Sequence, residues 1–436
     1  MKIITTLTRI AFGLTIILIP FRLRITLLTR PNIPIYGDFT DFLLFASDVA
    51  MLATLLLWGI YLSIGRSRIQ LGPKYFWLPL LGLTLAGWIS AISSVDPPIT
   101  VYHSIRLVIL FLFYLYVVNE IDSPRWLIIP VAIQGMIQAA IAIAQSTFQH
   151  SIGLQAFGEY FLDPLWPGVG IVSVGSLRLL RAYGLSDHPN ILGGCLAFGL
   201  VLLLAAYLKA KSSRWLIVPA FLTISLGLLL TFSRSAWLAF LAGSVLIVGV
   251  EALKREWRSV RDVVLLSSIT ILATSPFVWY NLPFFGVRLN AGNSFENVPV
   301  ENSSINERIF LVRSASPIFI RHPWTGIGLG ASPLALKKEY AEFPLNYQPP
   351  HLAVFDSMLE TGIPGAIFYF LLIVIPWIYL FSEKLTLVRP ETIAILGLLA
   401  AITMVGLFDY YTWLSVSGRS WQWLAWGLWA GLQRKT

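Results

Sequence analysis

The stretch LTISLGLLLTFSRSAWLAFLAGSVLIVGV, residues 222–250, decides the class of fold. Arg234 stands in its middle between two serines, and it is the only charged residue between Arg214 and Glu251. An apolar run long enough to span a membrane lies on each side of this arginine. The stretch therefore predicts two helices joined by a tight turn, or one long helix that breaks at Arg234.

The rest of the chain has the same apolar character. Of its 436 residues, 56% are hydrophobic and 12% are charged, whereas a soluble domain carries about 25% charged residues. A soluble fold of this length could not bury so much apolar surface, so lipid must solvate much of the chain. The 16 Trp and 16 Tyr residues are typical of many passes through the membrane interfaces. The one cysteine, Cys195, lies in an apolar run and predicts no disulfide framework.

We predict an all-α, polytopic membrane protein with about twelve transmembrane helices. The predicted spans centre on residues 3–21, 40–62, 75–93, 100–118, 126–147, 190–208, 214–232, 235–251, 263–281, 353–381, 392–409 and 420–433.

The short connections predict the orientation, because cytoplasmic loops carry an excess of Lys and Arg. With the N-terminus inside, five of the six inner connections, counting the C-terminal tail, are rich in these residues. The first span lacks a small-residue cleavage site, which predicts a retained helix and not a removed signal peptide. The predicted regions are N-terminal helices 1–148, an outer loop 149–189, central helices 190–281, a large outer loop 282–352 and C-terminal helices 353–436.

The large outer loop contains NERIFLVRSASPIFIRHPW, residues 306–324. Ile305, Ile309 and Val312 recur at helical spacing, so this segment predicts a helix laid on the membrane surface. The glycines of the next segment, HPWTGIGLGA at 322–331, resemble a phosphate loop in spacing only. They follow a surface helix and not a strand, so we do not interpret them as a dinucleotide site.

Arg234 predicts an anion site. No acidic residue lies within fifteen positions on either side of it. A charge held in hydrocarbon costs about 2.5–3.5 kcal/mol, so it needs a partner or water. A guanidinium stays ionised and offers two parallel N–H groups to phosphate oxygens. The alternative for an outer basic residue is a snorkelling or solvated charge, which is our interpretation of Lys337, Lys338 and Arg419.

His351 is the histidine whose position favours chemistry. It follows NYQPP, where two prolines fix the backbone, and it precedes an apolar span. An imidazole at this boundary, with an ordinary pKa of about 6.5, could take a proton from a sugar hydroxyl.

The sequence has no HExxH, CxxC or DxD pattern, so it does not indicate metal catalysis. The net charge of +9 is typical of basic cytoplasmic loops and offers no contiguous face for a nucleic acid.

Four stretches carry a family resemblance. In chain order they are RAYGLSDHPNILGGCLAFGL (181–200), LTFSRSAWLAFLAG (230–243), NERIFLVRSASPIFIRHPWTGIGLG (306–330) and HLAVFDSMLETGIPGAIFYFLL (351–372). Together they resemble the O-antigen ligase/polymerase superfamily of bacterial envelope enzymes, over roughly residues 178–410. One departure is Leu352, where relatives often carry Asn.

The resemblance implies a metal-independent, inverting glycosyltransferase of the bacterial inner membrane, without a cofactor and with its active site facing the periplasm. The donor would be a glycan on undecaprenyl diphosphate, and the acceptor a sugar hydroxyl of lipid A–core or of another glycan. Its other partners would be membrane lipids.

The resemblance also implies roles for particular residues. By motif, the family's essential arginines correspond to Arg234 and Arg308, and its essential histidine corresponds to His351. These three are the predicted catalytic residues. The predicted substrate-binding residues are the same two arginines with Arg181, His188 and Asn190. The side chains expected to orient these groups are Asp187, Asn190, Glu307 and Glu360.

Two other functions stay open. A polymerase that joins lipid-linked repeat units uses the same donor, and the sequence barely separates it from a ligase. A small-anion transporter would also need arginines. Transporters, however, place ionisable groups near the midplane on repeated, broken helices, and this sequence has no repeat of fixed period. Transport therefore ranks below glycan transfer.

Overall fold

Each of the twelve predicted apolar spans coincides with a helix. The computed structural model describes residues 1–65, 68–121, 125–210, 214–289, 299–382 and 388–433. The first helices are α1 Lys2–Leu18, α2 Ala46–Gly65, α3 Lys74–Ile89, α4 Pro97–Glu120 and α5 Arg125–Phe148. The central helices are α6 Pro189–Lys209, α7 Arg214–Leu230, α8 Arg234–Leu253 and α9 Trp257–Tyr280. The remaining helices are α10 Leu282–Leu289, α11 Pro299–Arg321, α12 Ser332–Glu339, α13 Ala353–Ser382, α14 Pro390–Gly406, α15 Tyr411–Leu414 and α16 Val416–Gln433.

Eight helices in the described part of the chain are long and apolar enough to cross a membrane: α2, α3, α4, α5, α6, α8, α9 and α13. Helices α7 and α14 are also apolar but have only 17 residues each. The predicted all-α, polytopic class is confirmed, and the count of about twelve spans stays a prediction.

Two small antiparallel hairpins interrupt the helical architecture, and the sequence analysis did not predict them. Strand β1, Arg24–Leu28, pairs with β2, Phe42–Phe45, and the register shifts near Leu28. Strand β3, Ile171–Val174, pairs with β4, Leu177–Leu180. Each hairpin lies in a connection between helices, so the bundle itself stays helical.

The loop-rich end of the bundle consists of three segments, residues 19–45, residues 149–188 and the described parts, 282–289 and 299–352, of the connection 282–352. Its three segments contact each other. The N–H of Arg22 donates to the carbonyl of Leu185 at 2.6 Å, which joins the first segment to the second. The ammonium of Lys337 donates to the side chain of Asn32, which joins the third segment to the first. The N-terminal hairpin therefore packs against both long connections.

Helix α6 lies at the centre of the bundle. It packs against α5, α7, α8, α14 and α16. In the stretch of α6 that is long enough to cross a membrane, 78% of the residues are buried inside the protein. Three tryptophans of α16, Trp421, Trp426 and Trp429, are fully buried. Each buried indole removes roughly 150–250 Å² from solvent, so α16 adds a large share of the apolar packing. Gly427 lets α16 approach α4, because a Cβ there would lie 2.8 Å from the Cβ of Val117.

The stretch around Arg234 forms two helices and not one broken helix. Helix α7 ends at Leu230, and α8 begins at Arg234. Phe232 adopts a left-handed conformation with φ 47°, which reverses the chain direction in the short turn between them. Helices α6 and α8 both begin at the loop-rich end, since the chain crosses the bundle once in α7 between them.

The glycines of the 322–331 segment serve packing. Gly326, Gly328 and Gly330 all have positive φ angles, which glycine adopts without strain. The N–H of Gly328 donates to the carbonyl of Glu360 at 3.1 Å, so the segment runs along α13. Helix α13 kinks there at Gly362, whose own Cβ position would meet the carbonyl oxygen of Trp324 at 2.3 Å. The close approach of two backbones explains the glycines without a bound phosphate.

The predicted surface helix is present as α11. Its buried side consists of Leu311, Ala315 and Ile318, which contact the loop-rich end. Ile309 faces away from the protein and is 47% exposed. The predicted stripe also included Val312, which is half-buried, and Ile305, whose side chain lies outside the described residues. Contact of this stripe with a membrane stays a prediction.

We predict that Gly326→Ala destabilises the protein more than Gly168→Ala. A Cβ at Gly326 would lie 2.4 Å from the backbone of Glu360, whereas one at Gly168 meets nothing within 4 Å. Both glycines have positive φ, at 70° and 84°, so each alanine carries the conformational cost of about 1–3 kcal/mol. Overpacking adds about 1–3 kcal/mol at Gly326 only.

The measurement is the melting temperature of both purified variants in the same detergent. Equal melting temperatures would contradict the packing role of the 322–331 segment.

Candidate functional site

A cavity of about 430 Å³ opens at the loop-rich end. Residues from five parts of the chain line it: the N-terminal hairpin, the first half of α4, the 149–188 connection with the start of α6, the end of the 282–352 connection, and the segment 409–416. Its polar lining residues include Arg24, Asp38, Asp187, His188, Asn190, Gln348, His351, Asp409 and Tyr410. Three predicted site residues, His188, Asn190 and His351, therefore share one cavity.

Two buried arginines hold the turn that precedes Arg234. The Nε of Arg181 donates to the carbonyl of Thr231 at 2.8 Å. The Nε and Nη2 of Arg288 donate to the carbonyl of Phe232 at 3.0 and 2.6 Å. The last carbonyls of a helix lack partners within the helix and carry partial negative charge, so both contacts are favourable at the end of α7. Burial in the protein, with 7% and 8% exposure, strengthens them further.

Asn190 connects Arg181 to a carboxylate. Its side-chain oxygen accepts a hydrogen bond from Arg181 at 2.5 Å. Its amide nitrogen donates to Asp409 at 3.0 Å. Asp409 is 3% exposed and also accepts from the N–H of Tyr410 at 2.9 Å. The chain of contacts therefore runs from the turn before α8 to the segment after α14.

His351 lies at the other end of this chain of contacts. Burial lowers the pKa of His351 below its ordinary value of 6.5; the Asp409 carboxylate opposes the effect and Arg308 adds to it. The ring stands edge-on to Tyr410, with ring centres 5.1 Å apart. Its Nδ1 is buried and has no hydrogen-bond partner among the described residues. At neutral pH the imidazole is therefore neutral and able to accept a proton.

His188 has a different environment and a different capability. Burial, with the nearby charges of Arg181, His351 and Arg288, lowers its pKa to about 3. Its Nδ1 accepts the N–H of Asn190 at 3.1 Å and so caps the first turn of α6. Because Nδ1 is the acceptor, the neutral ring carries its proton on Nε2. His188 can donate a hydrogen bond from the cavity wall, and its basic nitrogen is already used.

The cavity lining includes Arg24 and Arg106 but none of Arg181, Arg234, Arg288 and Arg308. Arg181 reaches the cavity through its hydrogen bond to the lining residue Asn190. Arg234 is half-buried at the first position of α8, and the N-cap Ser233 provides no side-chain cap for the first-turn N–H groups. Arg308 is half-buried on α11, close enough to His351 to lower its pKa. The starts of α6 and α8 thus lie next to Arg181, Arg234 and Arg288. A helix N-terminus beside guanidinium groups is an environment that favours an anion.

Sequence reasoning missed two contributors to this site. Asp409 has no motif, although it is an acid that closely follows the apolar run 390–406 and could have been noticed for that reason. Arg288 lies outside the four stretches that carry the family resemblance. Neither partner could be assigned, because Arg288 reaches back 56 positions to Phe232 and Asp409 reaches 219 positions to Asn190.

The side chains expected to orient the site act in different places. Asn190 lies at its centre. Glu307 accepts from the cavity residue Gln348 at 2.7 Å, and burial raises its pKa against the effect of Arg308. Glu360 accepts from Ser332 and from the indole of Trp413, at 2.9 and 2.8 Å. It therefore fastens the segment after α11 to α13 and does not touch the arginines of the site.

Asp187 faces the N-terminal hairpin. Its Oδ1 lies 3.0 Å from the Nε of Arg22 and 2.8 Å from the Nη1 of Arg24. Burial raises its pKa to about 6, against the effect of both arginines and with a contribution from Asp38. Asp187 therefore fixes the hairpin beside His188, its neighbour in the chain.

The interpretation of Arg419 as a snorkelling or solvated charge is wrong. Arg419 is 3% exposed, its Nε donates to the carbonyl of Trp413, and its Nη1 lies 3.3 Å from the Nδ1 of His103. It joins α16 to α4 inside the bundle. The local sequence around Arg419 could not predict its contact with His103, because the two residues lie 316 positions apart.

No group of three or more His, Cys, Asp or Glu side chains that could hold a metal ion occurs in the described ranges. The side chains and helix ends at and around the cavity provide guanidinium groups, helix N-termini, a neutral imidazole and a carboxylate. Groups of these kinds suit an anion and a proton acceptor. The structure is that of a helical membrane protein with a polar candidate site at one end of its bundle.

A family model matches the central part of the chain. The sequence model of the family described as O-Antigen ligase matches residues 219–370, from α7 into α13, and this segment includes Arg234, Arg308 and His351. The match confirms the resemblance to the O-antigen ligase superfamily that the motifs predict, and it indicates a membrane glycosyltransferase of the ligase or polymerase type. No curated protein matches the chain significantly.

We predict that the pKa of His351 falls further below 6.5 in Asp409→Asn and rises in Arg308→Gln. The first change removes the carboxylate that raises this pKa, and the second removes a cation that lowers it. The measurement is an NMR titration of the purified protein with labelled histidine, in which His351→Gln identifies the resonance. Arg313→Gln, an exposed charge on the same helix as Arg308, is the control and should leave the pKa unchanged. A His351 titration that neither Asp409→Asn nor Arg308→Gln moves would contradict this electrostatic environment.

Proposed function

We propose that this protein is a ligase that transfers a glycan from undecaprenyl diphosphate to a sugar hydroxyl of lipid A–core or another glycan. The observation that supports it is the set of contacts that runs from the arginine-held turn before α8, through Asn190, Asp409 and Tyr410, to the ring of His351. It joins an anion site to a proton acceptor in one cavity.

The basic side of the cavity suits the diphosphate of the donor. Arg234 and Arg308 are the proposed catalytic arginines, with Arg181, His188 and Asn190 as further binding residues. During transfer, charge develops on the diphosphate oxygen that leaves the sugar. Fixed guanidinium groups and helix N-termini stabilise that charge without a metal ion, and each such donor is worth about 10²–10³-fold in rate.

His351 is the proposed general base. The acceptor hydroxyl gives its proton to the imidazole, and its oxygen forms a bond to the anomeric carbon of the donor. The bond from that carbon to the diphosphate oxygen breaks, the electron pair leaves with undecaprenyl diphosphate, and the configuration inverts. A positioned base of this kind contributes about 10²–10⁴-fold.

Asp409 is the proposed positioning residue for His351. A buried carboxylate next to an imidazole stabilises the imidazolium that forms when the proton is taken. Asp409 is itself held by Asn190, which also binds Arg181. The proposed base and the proposed diphosphate site are thus coupled through one amide.

The proposed location is the bacterial inner membrane, with the loop-rich end in the periplasm. The charge distribution supports this orientation. The short connections at the opposite end, such as KAKSSR at 209–214 and EALKREWRSVRD at 251–262, are rich in Lys and Arg, as cytoplasmic loops are.

A polymerase that uses the same donor is the second candidate, because the family match covers both types. Deletion of the gene followed by gel electrophoresis of the surface glycans separates the two. Loss of all attached polymer supports a ligase, whereas a single repeat on the acceptor supports a polymerase. Anion transport has less support, because the basic site lies at one end of the bundle and not at its middle.

We predict that Arg234→Ala, Arg308→Ala and His351→Ala each lower glycan transfer at least about 10²-fold, because each removes a group that acts in the transition state. The assay uses purified protein with a lipid-linked glycan donor. Matched controls are Arg313→Ala and His150→Ala, which replace exposed residues of the same types at the loop-rich end and should retain activity. Normal activity of His351→Ala would refute its assignment as the base.

We predict that EDTA leaves the transfer rate unchanged, because the proposed mechanism stabilises the diphosphate with arginines. The rate is measured with and without EDTA, and a metal-dependent glycosyltransferase treated in parallel shows that the chelator is effective. Loss of activity that magnesium restores would rule out the metal-independent mechanism.

A further inference from the structure

The N-terminal hairpin lines the same cavity as His351. Its contribution is the hairpin wall, which consists of Arg24, Tyr36, Asp38, Phe39, Leu43 and Phe45. The family match begins only at residue 219 and assigns nothing to this part of the chain. A polar surface placed against a candidate active site needs an explanation of its own.

The charges of the hairpin wall are paired. Arg24 contacts the carboxylate of Asp38 and lies 2.8 Å from Asp187. Arg22, just before the strand, lies 3.0 Å from Asp187. Arg106 of α4 also lines the cavity against the hairpin, and it lies 2.6 Å from the carboxylate of Asp48. Three arginines and three carboxylates leave no net positive charge here. A diphosphate therefore gains little from this side of the cavity, in contrast to the side of Arg181, Arg234 and Arg288.

The same wall offers aromatic faces and carboxylate oxygens. Tyr36 is 51% exposed, and the side chain of Asp38 is 48% exposed. Tyr160 also lines the cavity, but its ring already packs against the guanidinium of Arg22 and the ring of Tyr183, so Tyr36 is the aromatic face available to a sugar. An aromatic face packs against the C–H groups of a sugar ring, and a carboxylate accepts hydrogen bonds from its hydroxyl groups. The wall has the groups that bind a neutral carbohydrate.

Tyr410 connects the hairpin wall to His351. Its ring lies edge-on to His351, with centres 5.1 Å apart, and edge-on to Phe39 at 6.1 Å. Burial raises the pKa of Tyr410 well above its ordinary value, and the charges of Asp409, Asp38 and Asp187 add to that effect. Carboxylates from both sides therefore surround one phenol next to the proposed base.

We infer that the hairpin wall binds the acceptor sugar and selects a neutral ring over an anionic one. This inference rests on the proposed function. It gives the two substrates opposite sides of one cavity: the donor diphosphate on the side of the arginines, and the acceptor ring on Tyr36 and Asp38. The acceptor hydroxyl then lies toward His351, between the two sides.

The test compares Tyr36→Ala and Asp38→Ala with wild type in nanodiscs. Donor and acceptor are the lipid-linked glycan and glycolipid fractions extracted from a strain that lacks this protein. We expect the KM for the acceptor fraction to rise about tenfold in each variant, because an aromatic or polar contact to the ring is lost. The KM for the donor fraction should not change. Tyr36→Phe keeps the ring face and should recover most of the acceptor affinity.

Two controls separate this effect from misfolding. Tyr280→Ala replaces another exposed tyrosine, at the end of α9, and should behave as wild type. Added undecaprenyl diphosphate should raise the melting temperature of wild type, Tyr36→Ala and Asp38→Ala equally, and should not do so for Arg234→Ala. A variant that keeps this shift is folded at its donor site.

Each other outcome overturns the inference. If wild type transfers glycan and the hairpin variants match Tyr280→Ala, the wall does not bind the acceptor, and the proposed function is unaffected. If the donor KM rises instead, the wall contacts the donor. If wild type neither transfers glycan nor is stabilised by undecaprenyl diphosphate, the proposed function fails and the inference fails with it.

Discussion

The site depends on how the chain holds the end of α7. Two buried guanidinium groups, from Arg181 and Arg288, donate to the carbonyls of Thr231 and Phe232. Hydrogen bonds from charged groups are worth about 1.5–3 kcal/mol each, and loss of one partner leaves the other buried and unsatisfied. These contacts fix the turn and therefore the position of Arg234 at the start of α8. They also explain why such polar side chains are retained beside an apolar bundle.

The same contacts organise the electrostatics of the cavity. Arg181 does not act on the turn alone, since it also binds Asn190, and Asn190 binds Asp409. Arg181, Arg288 and the starts of α6 and α8 meet around the turn before Arg234, while the charges of the N-terminal hairpin cancel in pairs. His351 lines the same cavity as the hairpin, and burial lowers its pKa, so its imidazole is neutral. In the proposed mechanism, this division gives an anionic group and a sugar ring separate places at one cavity.

Sequence and structure contributed differently to the candidate site. The motifs selected Arg234, Arg308 and His351 from a chain with 31 basic residues and 5 histidines. The structure adds that His351 and Arg308 are close and that Asp409 opposes the effect of Arg308 on the imidazole. It separates His188, whose Nδ1 caps α6, from His351, whose Nδ1 has no such role. Both histidines precede a helix at the loop-rich end, so their local sequences could not distinguish them.

The sequence by itself determined the class of fold, the positions of the helices and the ends of the bundle that carry long connections. Those features follow from the transfer of each side chain between water and lipid, which is a local property that sums along a segment. Only the tertiary structure decided which polar groups meet. Arg181 reaches Thr231 across 50 positions, and Asn190 reaches Asp409 across 219. Hydropathy gives no information about such partners, because a buried polar contact depends on which helices pack together and in what register.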